Sequence, residues 1–529
     1  MFLLVAIYFC LIPSPLRISP ETTGYTEPLT PSGDVDYFGV YEKTYIDKLS
    51  PPEDNGQRLL IAACGPVVLE QVHIANTVPW EEMPTNPRSK NWFEKQWIPL
   101  CEHMYIDPYA RPKYFDSHGF YGFMYKEWEA NKKEGDSRNV QADTELWNQL
   151  VSAPWTAEEH PDVARWLEER SPVLDLFGVA VRKPNFVCWR WRNDSLTGIM
   201  LPDVQANREF ARDLRIRITE RLGRGDIDGA WYDVMSMFYL SRKHYIHDQI
   251  YVTNLVGIAI EGQGWEAAKI ILQYGKPTPE QLERFANDLA ALPRKMTLKS
   301  TFETSIPYAW LRGIRPGLGL DKAEFGDFFD GYCNRKTNPI EYLFYLPIDH
   351  NIAGKRISEF NNIERKKSGD SAWNINPTVR RKHAGERDVM IVKKKEQLKS
   401  PWNLLRVPLI HTRSQMVADY LLSVVASSNL AVQTALDRSN AQLDLLRVAV
   451  ALERYKAAKG DYPATLDALV PTFLEEVPLD PFTARLTLTY RPEPKDGRPF
   501  VLYSFGPNAL DDGGTPCKSQ NWAECDIVW

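Results

Sequence analysis

The feature that most constrains the fold is the stretch 414–459, which contains neither Pro nor Gly. Apolar residues recur along it at helical spacing, among them Val417, Leu446 and Val450. Gly460 follows directly, and Gly commonly ends a helix because it tolerates the left-handed conformation. The pattern predicts one long helix over 414–459 that buries one of its faces.

The residues after this helix have a different pattern. Residues 465–469 favour a short helix, and residues 486–491 and 500–505 alternate in the way that is typical of strands. Residues 494–497 between the strands contain Pro, Asp and Gly, which favour a hairpin turn. We therefore predict an α+β module in which the long helix precedes a small antiparallel sheet.

The chain before residue 350 reads as a mainly helical body. Helical periodicity is clearest over 204–222, 230–240 and 252–274, with a Gly-rich turn at 223–229. Residues 277–280 combine Pro with Glu and so predict the start of another helix. Short helices are also predicted at 143–150 and 161–169, in a region where prolines break longer patterns.

The predicted fold class is mainly α, with a helical body followed by the C-terminal α+β module. The chain of 529 residues is too long for one ordinary core. We divide it into four parts by composition and pattern. They are a signal or anchor segment at 1–20, the helical body at 21–350, a basic linker at 351–405 and the C-terminal domain at 406–529.

The N-terminal segment predicts export. Residues 1–12 carry no charge, and a Pro-rich segment follows them. A bilayer-spanning helix needs roughly twenty apolar residues, so this length favours the apolar region of a signal sequence. Because no Lys or Arg precedes it, either a longer anchoring helix starts upstream or the segment is a short export signal; a buried N-terminal helix is the alternative. We expect the protein on the periplasmic side of an inner membrane, or secreted.

Charge and aromatic content narrow the expected partners. The net charge of −6 is far from the basic balance of nucleic-acid binders, so we expect no nucleic acid. Residues 355–395 are rich in Lys and Arg, which favours a solvated face or contact with anionic lipid. The 16 Trp predict large anchors between packed helices, and a ligand-stacking surface in the region 92–192 is the alternative.

Three motifs in the C-terminal region occur in the order found in one known family. They are LLRVAVALERYKAAKGDYPATLDALV at 445–470, PLDPF at 478–482 and LYSFGPNALDDGG at 502–514. Together they resemble the head of the major pseudopilins of type II secretion, a type IV pilin-like module. The resemblance covers about residues 415–515. Similar modules occur on large bacterial envelope proteins, and the pattern at 21–37 is also similar to such proteins.

The resemblance has a clear departure. A pseudopilin begins with its long helix, which cleavage after a Gly exposes, whereas here the helix is internal and residues 411–416 contain no such Gly. The chain is therefore not expected to assemble into a pilus-like fibre through this helix. The resemblance instead implies reuse of the head module.

The same resemblance implies a calcium-holding loop near the end of the head. Ca²⁺ takes six to eight oxygen ligands from carboxylates, carbonyls and water. Here Asn508 stands where a charged ligand is expected, and a polar turn without an ion is the alternative. The residues that would supply oxygens are Leu502, Ser504, Asn508, Leu510, Asp511 and Asp512.

Two further features have weaker signals. His244 and His247 are spaced for one face of a helix, but the sequence offers no evident third metal ligand, so a satisfied polar face is the preferred interpretation. Cys517 and Cys525 flank a short polar loop and are either paired or free, because spacing alone does not establish a bond.

The sequence therefore favours a non-catalytic envelope scaffold or binding protein whose pseudopilin-like head holds calcium. It contains no GxSxG motif, P-loop or kinase signature. Two alternatives remain open. One is an extracytoplasmic hydrolase acting on cell wall or polysaccharide, and the other is an accessory component of a type II secretion-like system.

Overall fold

The structure is a computed structural model that describes most of the chain. The described residues are 15–69, 78–131, 139–192, 199, 201–247, 251–292, 348–369, 410–483, 486–494, 497–515 and 525–529. The fold is mainly helical with one small antiparallel sheet, as the sequence predicts. The segment 1–14 and most of the predicted basic linker lie outside the described residues. In the part described, no helix is both long enough and apolar enough to cross a bilayer.

Thirteen α-helices occur within the described residues, and we number them in chain order. They are α1 (Tyr37–Glu42), α2 (Gly56–Cys64), α3 (Lys90–Trp92), α4 (Ile98–His103), α5 (Phe120–Asn131), α6 (Val140–Leu150), α7 (Pro161–Ala180), α8 (Pro202–Gly223), α9 (Ile227–His247), α10 (Tyr251–Ile270), α11 (Pro279–Ala291), α12 (His350–Gly369) and α13 (Ile410–Lys459).

The chain divides into two compact units, each discontinuous in sequence. The first takes Met1–Lys43, Arg192–Ile199 and Thr297–Thr434. The second takes Thr44–Trp191, Met200–Met296 and Ala435–Trp529. The division into four parts by composition stays a prediction beside these two units.

The first unit has a core built from three separated segments. Val35 and Tyr37 pack with Ala353 and Ile357 of α12 and with residues 418 and 422 of α13. Ala353 and Ile357 are four residues apart, which places both on one face of α12. The start of the predicted linker is therefore helical and packed, because its few apolar residues have helical spacing.

The second unit is centred on α8, which packs against α7, α9 and α10. The boundaries of α8 agree with the helix predicted over 204–222, and Pro202 is a residue suited to the first turn of a helix. Helix α11 also begins where predicted, with the Thr278 hydroxyl and the Gln281 side chain forming a capping box. Local capping chemistry explains why these helices were predictable.

Two helices differ from the sequence prediction. Helix α7 extends to Ala180, although we predicted an end near residue 169, because Pro172 is accommodated inside it. The buried side chains of Val173, Leu174 and Phe177 favour continuation beyond the proline. In residues 37–49 the aromatic and aliphatic side chains recur at helical spacing, which predicts one helix, but the segment forms α1 and a separate 3₁₀ turn at Ile46–Leu49.

The C-terminal segment follows the predicted order. Helix α13 spans Ile410–Lys459 as one element, and Gly460 ends it with a positive φ of 94°. Strand β1 (Thr489–Arg491) pairs antiparallel with β2 (Val501–Ser504), as predicted. Strand β3 (Ile527–Val528) pairs antiparallel with the other edge of β2, which the sequence did not predict.

Candidate functional site

The turn at 478–483 and strand β2 are held together by the carboxylate of Asp480. Its Oδ1 accepts hydrogen bonds from the Phe482 backbone N–H at 2.9 Å and the Ser504 hydroxyl at 2.8 Å. Its Oδ2 accepts the Phe505 backbone N–H at 2.8 Å. Burial raises the pKa of Asp480, and these hydrogen bonds oppose the rise. Asp480 thus joins the second and third of the three motifs.

Two of the predicted calcium ligands are engaged in this framework. Ser504 is fully buried, and its hydroxyl donates to Asp480 and accepts from the Gly506 backbone N–H at 3.2 Å. The carbonyl of Leu502, also fully buried, accepts the Trp529 backbone N–H at 2.9 Å. The Ser504 and Leu502 oxygens are therefore used in hydrogen bonds of the turn and the sheet.

Asp511 lies against the outer part of the sheet. Its Oδ1 accepts from the Tyr503 hydroxyl at 2.8 Å and from the Gly513 backbone N–H at 2.9 Å. Arg491 donates to the Tyr503 hydroxyl at 2.8 Å and lies 3.6 Å from Asp511 Oδ2. The hydrogen bond from Tyr503 lowers the pKa of Asp511, with the Gly513 N–H and Arg491 contributing. Asp511 is therefore held in its ionised form.

Asn508 is half-buried and lies beside the exposed residues Leu510 and Asp512 of the loop. The Asn508 amide donates to Asp512 Oδ2 at 2.9 Å, and its Oδ1 accepts the Leu510 backbone N–H at 3.2 Å. Asp512 is exposed. The loop therefore joins the side-chain amide of Asn508 to the carboxylate of Asp512 through the amide N–H.

Asp526 completes the loop and was missed by the sequence reasoning. Its Oδ2 accepts the Gly514 backbone N–H at 2.8 Å, and its Oδ1 accepts that of Asp512 at 3.4 Å. Burial raises the pKa of Asp526, and the negative charges of Asp512 and Asp511 add to the rise. The neighbouring Cys525 was noted in the sequence, and it is disulfide-bonded. Cys517, which the sequence offers as a partner, lies outside the described residues.

The oxygen atoms of this loop are of the chemical types that bind calcium. Asp511, Asp512, Asp526 and Asn508 supply carboxylate and amide oxygens, which are ligands suited to Ca²⁺. Within the described residues, however, no group of three or more His, Cys, Asp or Glu side chains is arranged to hold a metal ion. Binding would therefore draw the carboxylates closer and recruit Asn508 and backbone carbonyls.

Comparison with family models, curated proteins and solved structures found no match for this chain.

Helix α8 carries a set of buried ion pairs that the sequence reasoning did not identify. Arg217 donates to both carboxylate oxygens of Asp233, at 2.6 and 2.9 Å, and also to Asp175 at 2.7 Å. Arg221 donates to Asp233 at 2.9 Å. The side chains of Arg217 and Asp233 are almost completely buried, whereas that of Asp175 is 62% exposed. Charged residues alternate with leucine and isoleucine at 213–218, a pattern that indicates burial on all faces.

A second buried pair lies near His118. Arg170 donates to Asp213 at 3.0 Å, and Asp213 also accepts the Phe120 backbone N–H at 3.0 Å. His118 is buried, and its Nδ1 has no hydrogen-bond partner in the described part of the chain. Burial lowers the pKa of His118 to about 4, with Lys126 and Arg170 contributing. His118 is therefore neutral at physiological pH.

The histidine pair considered as a metal site is only partly described. His244 is buried, and its Nε2 lies 3.5 Å from the Asn207 amide nitrogen. The side chain of His247 lies outside the described part. His244 thus belongs to the polar interior between α8 and α9.

The tryptophans of the region 92–192 serve mainly as core anchors. Five of them are 9% exposed or less, and they are Trp92, Trp97, Trp155, Trp166 and Trp189. Trp92 and Trp97 stack on each other, and Trp80 packs edge-on against Trp97. Most of these rings are therefore used in packing rather than presented to solvent.

Proposed function

We propose that this protein is a non-catalytic scaffold or binding protein of a bacterial cell envelope, with a pseudopilin-like head that calcium stiffens. It would lie on the periplasmic side of the inner membrane, or be secreted, and its partners would be envelope proteins or the membrane. The observation that carries the proposal is the carboxylate loop of Asp511, Asp512 and Asp526, fastened to a small sheet behind a long helix.

The order of elements supports the pseudopilin-like part of the proposal. A long helix ends at Gly460, a short 3₁₀ helix follows at Leu466–Leu469, and the small sheet comes last. Asp480 fastens the PLDPF motif to the strand that opens the third motif. The second and third of the three motifs on which the resemblance rests are thus neighbours in space.

The charge of the loop supports the calcium part. Asp511, Asp512 and Asp526 lie close enough for their charges to raise the pKa of Asp526, and Arg491 is the cation that approaches Asp511. A divalent cation would relieve this repulsion. Asn508, Asp511, Asp512 and Asp526 would hold the ion, while the oxygens of Leu502 and Ser504 stay in the framework.

The hydrolase alternative receives no support from the described aromatic region. A polysaccharide platform needs exposed rings, and five tryptophans of the region 92–192 are buried.

We also propose that basic residues between 355 and 395 contact anionic lipid. Of these, Arg356 pairs with Asp419 at 3.0 Å and with Glu359 at 3.3 Å.

Thermal melts of the full chain with calcium and with a calcium chelator test the proposal. We expect calcium to raise the midpoint, because a ligand that binds only the folded state stabilises it by about 2.7 kcal/mol at one hundred times its Kd. Magnesium serves as the control ion, since it prefers a rigid octahedral site. Midpoints that do not differ between calcium and chelator would contradict the calcium part.

A matched pair of variants locates the effect. Asp512→Asn keeps the size of the side chain but removes a charge from the loop, and we expect it to abolish most of the calcium shift. Asp461→Asn makes the same change at an exposed position just after α13, and should leave the shift intact.

Fractionation of the expressed full chain tests its location in the cell, and recovery only from the cytosol would overturn the envelope assignment.

A further inference from the structure

A surface cavity of about 360 Å³ lies in the second unit, between α9 and α11 and next to the end of α7. Ligand sites in proteins enclose roughly 300–1,000 Å³, so this volume suits a small molecule. One face of α9 forms its floor and walls, and Arg182, Arg284 and Asp288 complete the lining. None of these residues belongs to the carboxylate loop.

The aromatic wall of the cavity is fixed by contacts behind it. Trp231 stacks on Phe285 with ring centroids 4.0 Å apart and planes inclined by 17°. The Trp231 indole N–H donates to Asp288 Oδ2 at 2.9 Å. Asp288 is thereby oriented on α11, so a carboxylate lies next to an indole ring in a defined geometry.

Arg182 is held at the opposite side of the cavity. Its guanidinium lies 3.8 Å from the ring centroid of Tyr232 and 5.0 Å from that of Tyr239. It donates to the carbonyls of Gly178 and Tyr232 and to the hydroxyl of Ser236. These contacts use three of the five N–H groups of an arginine. The other two find no acceptor among the described residues, so a fixed cation retains donors for a ligand.

The rim carries both signs of charge. Arg284 pairs with Asp228, and the two side chains are 57% and 58% exposed. Exposed pairs of this kind contribute at most about 1 kcal/mol, so a ligand can replace either partner at small cost. The cavity thus has two guanidinium groups and two carboxylates around the apolar surface of Met235, Tyr232 and Tyr239.

We propose that this cavity binds a compact zwitterion, namely a free α-amino acid or a dipeptide with an apolar side chain. The ligand carboxylate would accept hydrogen bonds from Arg182 and Arg284, and its ammonium group would lie against Asp288 and Asp228. The apolar side chain would cover Met235 and the tyrosine rings. A purely anionic ligand would bring no positive charge to Asp228 and Asp288, so it would fit the cavity less well.

Calorimetric titration of the full chain tests the proposal. The probes are L-phenylalanine, L-leucine and L-leucyl-L-phenylalanine, compared with N-acetyl-L-phenylalanine and L-phenylalaninamide. We expect at least one zwitterion to bind, and each blocked form to bind about tenfold more weakly, because each loses a charge-assisted contact worth about 1.5 kcal/mol or more. Equal binding of the N-acetyl form, or no binding by any zwitterion up to its solubility limit, would overturn the proposal.

Variants at the rim place the ligand. Arg284→Gln and Asp288→Asn should each weaken binding about tenfold or more. Arg165→Gln is the matched control, because Arg165 is also exposed and paired but lies near the opposite end of α7, roughly 25 Å along the helix from Arg182. Thermal melts establish that each variant is folded. Unchanged affinity in both rim variants would place any binding elsewhere and refute this site, whatever the calcium measurements show.

Discussion

The backbone N–H of Phe505 donates to Oδ2 of Asp480 at 2.8 Å, and this contact ties two segments of the C-terminal region that lie 25 residues apart. Asp480 also accepts from Phe482 and from Ser504. Among the described residues no cation contacts Asp480, so backbone and hydroxyl donors hold this buried carboxylate. The arrangement makes one side chain responsible for the junction.

Replacing Asp480 by Ala should therefore loosen the junction. Leaving three donors without an acceptor is expected to destabilise the region by about 3 kcal/mol or more, since each unsatisfied buried group costs about 1–3 kcal/mol. Hydrogen exchange at the amides of Phe482 and Phe505 gives a local measurement and should accelerate. Asp467→Ala, at an exposed position, is the control and should change stability by less than about 0.5 kcal/mol. Slow exchange retained in Asp480→Ala would show that the junction does not depend on this carboxylate.

The ion-pair network on α8 predicts a contrast between two aspartates that contact the same arginine. Asp233→Asn leaves Arg217 buried without its main counter-charge, so we expect a loss of about 3–5 kcal/mol. Asp175→Asn removes a partner that is 62% exposed, and we expect a loss of at most about 1 kcal/mol. Urea denaturation of both variants measures the difference. Equal losses would mean that burial does not determine the strength of these pairs.

His118 predicts a pH dependence between pH 6.5 and 4. The pKa of His118 falls from 6.5 to about 4 because burial penalises the charged form. In this range the unfolded chain binds the proton more readily, so stability is lost as the pH falls. The contribution is at most about 3 kcal/mol, since one pKa unit corresponds to 1.36 kcal/mol. His118→Gln should lose less stability than the parent between these two pH values, and parallel curves would contradict the assignment.

Two glycines in the C-terminal loop form a matched pair. Gly506 and Gly513 have φ values of 66° and 74°, in the region that side chains disfavour. A Cβ on Gly506 would lie 2.3 Å from the carbonyl oxygen of Cys525, whereas one on Gly513 would meet nothing within 4 Å. Gly513→Ala should cost about 1–2 kcal/mol, the backbone penalty alone. Gly506→Ala should cost clearly more in thermal melts, and similar costs would show that the approach to Cys525 is unimportant.

Local sequence patterns predicted the elements better than their partners. The ends of α8, α11 and α13 follow from Pro202, from the capping box at Thr278 and from Gly460, which act within one turn of the helix. Pro172 misled the prediction for α7, because packing of the flanking apolar side chains outweighed the local penalty. Strand β3 has two residues, too few for a period to be visible.

The candidate loop shows the same limit. Asn508, Asp511 and Asp512 could be named from the sequence because they lie close together in it, within a segment that resembles the pseudopilin head. Asp526 joins them only through pairing of β3 with β2, which no local pattern encodes. Arg217 and Asp233 are likewise brought together by the packing of α8 on α9.

Three cysteines of the second unit, Cys64, Cys101 and Cys188, are buried and carry thiols rather than disulfides. Burial raises the pKa of Cys64 to about 12 and also raises that of Cys101. The thiolate is the form that attacks alkylating reagents, so these thiols should not react while the molecule is closed. Because Cys64 lies in α2 and Cys101 in α4, mass spectrometry of timed alkylation would report how often each helix exposes its inner face. The native cysteines thus report local opening of the protein, and no label has to be engineered into it.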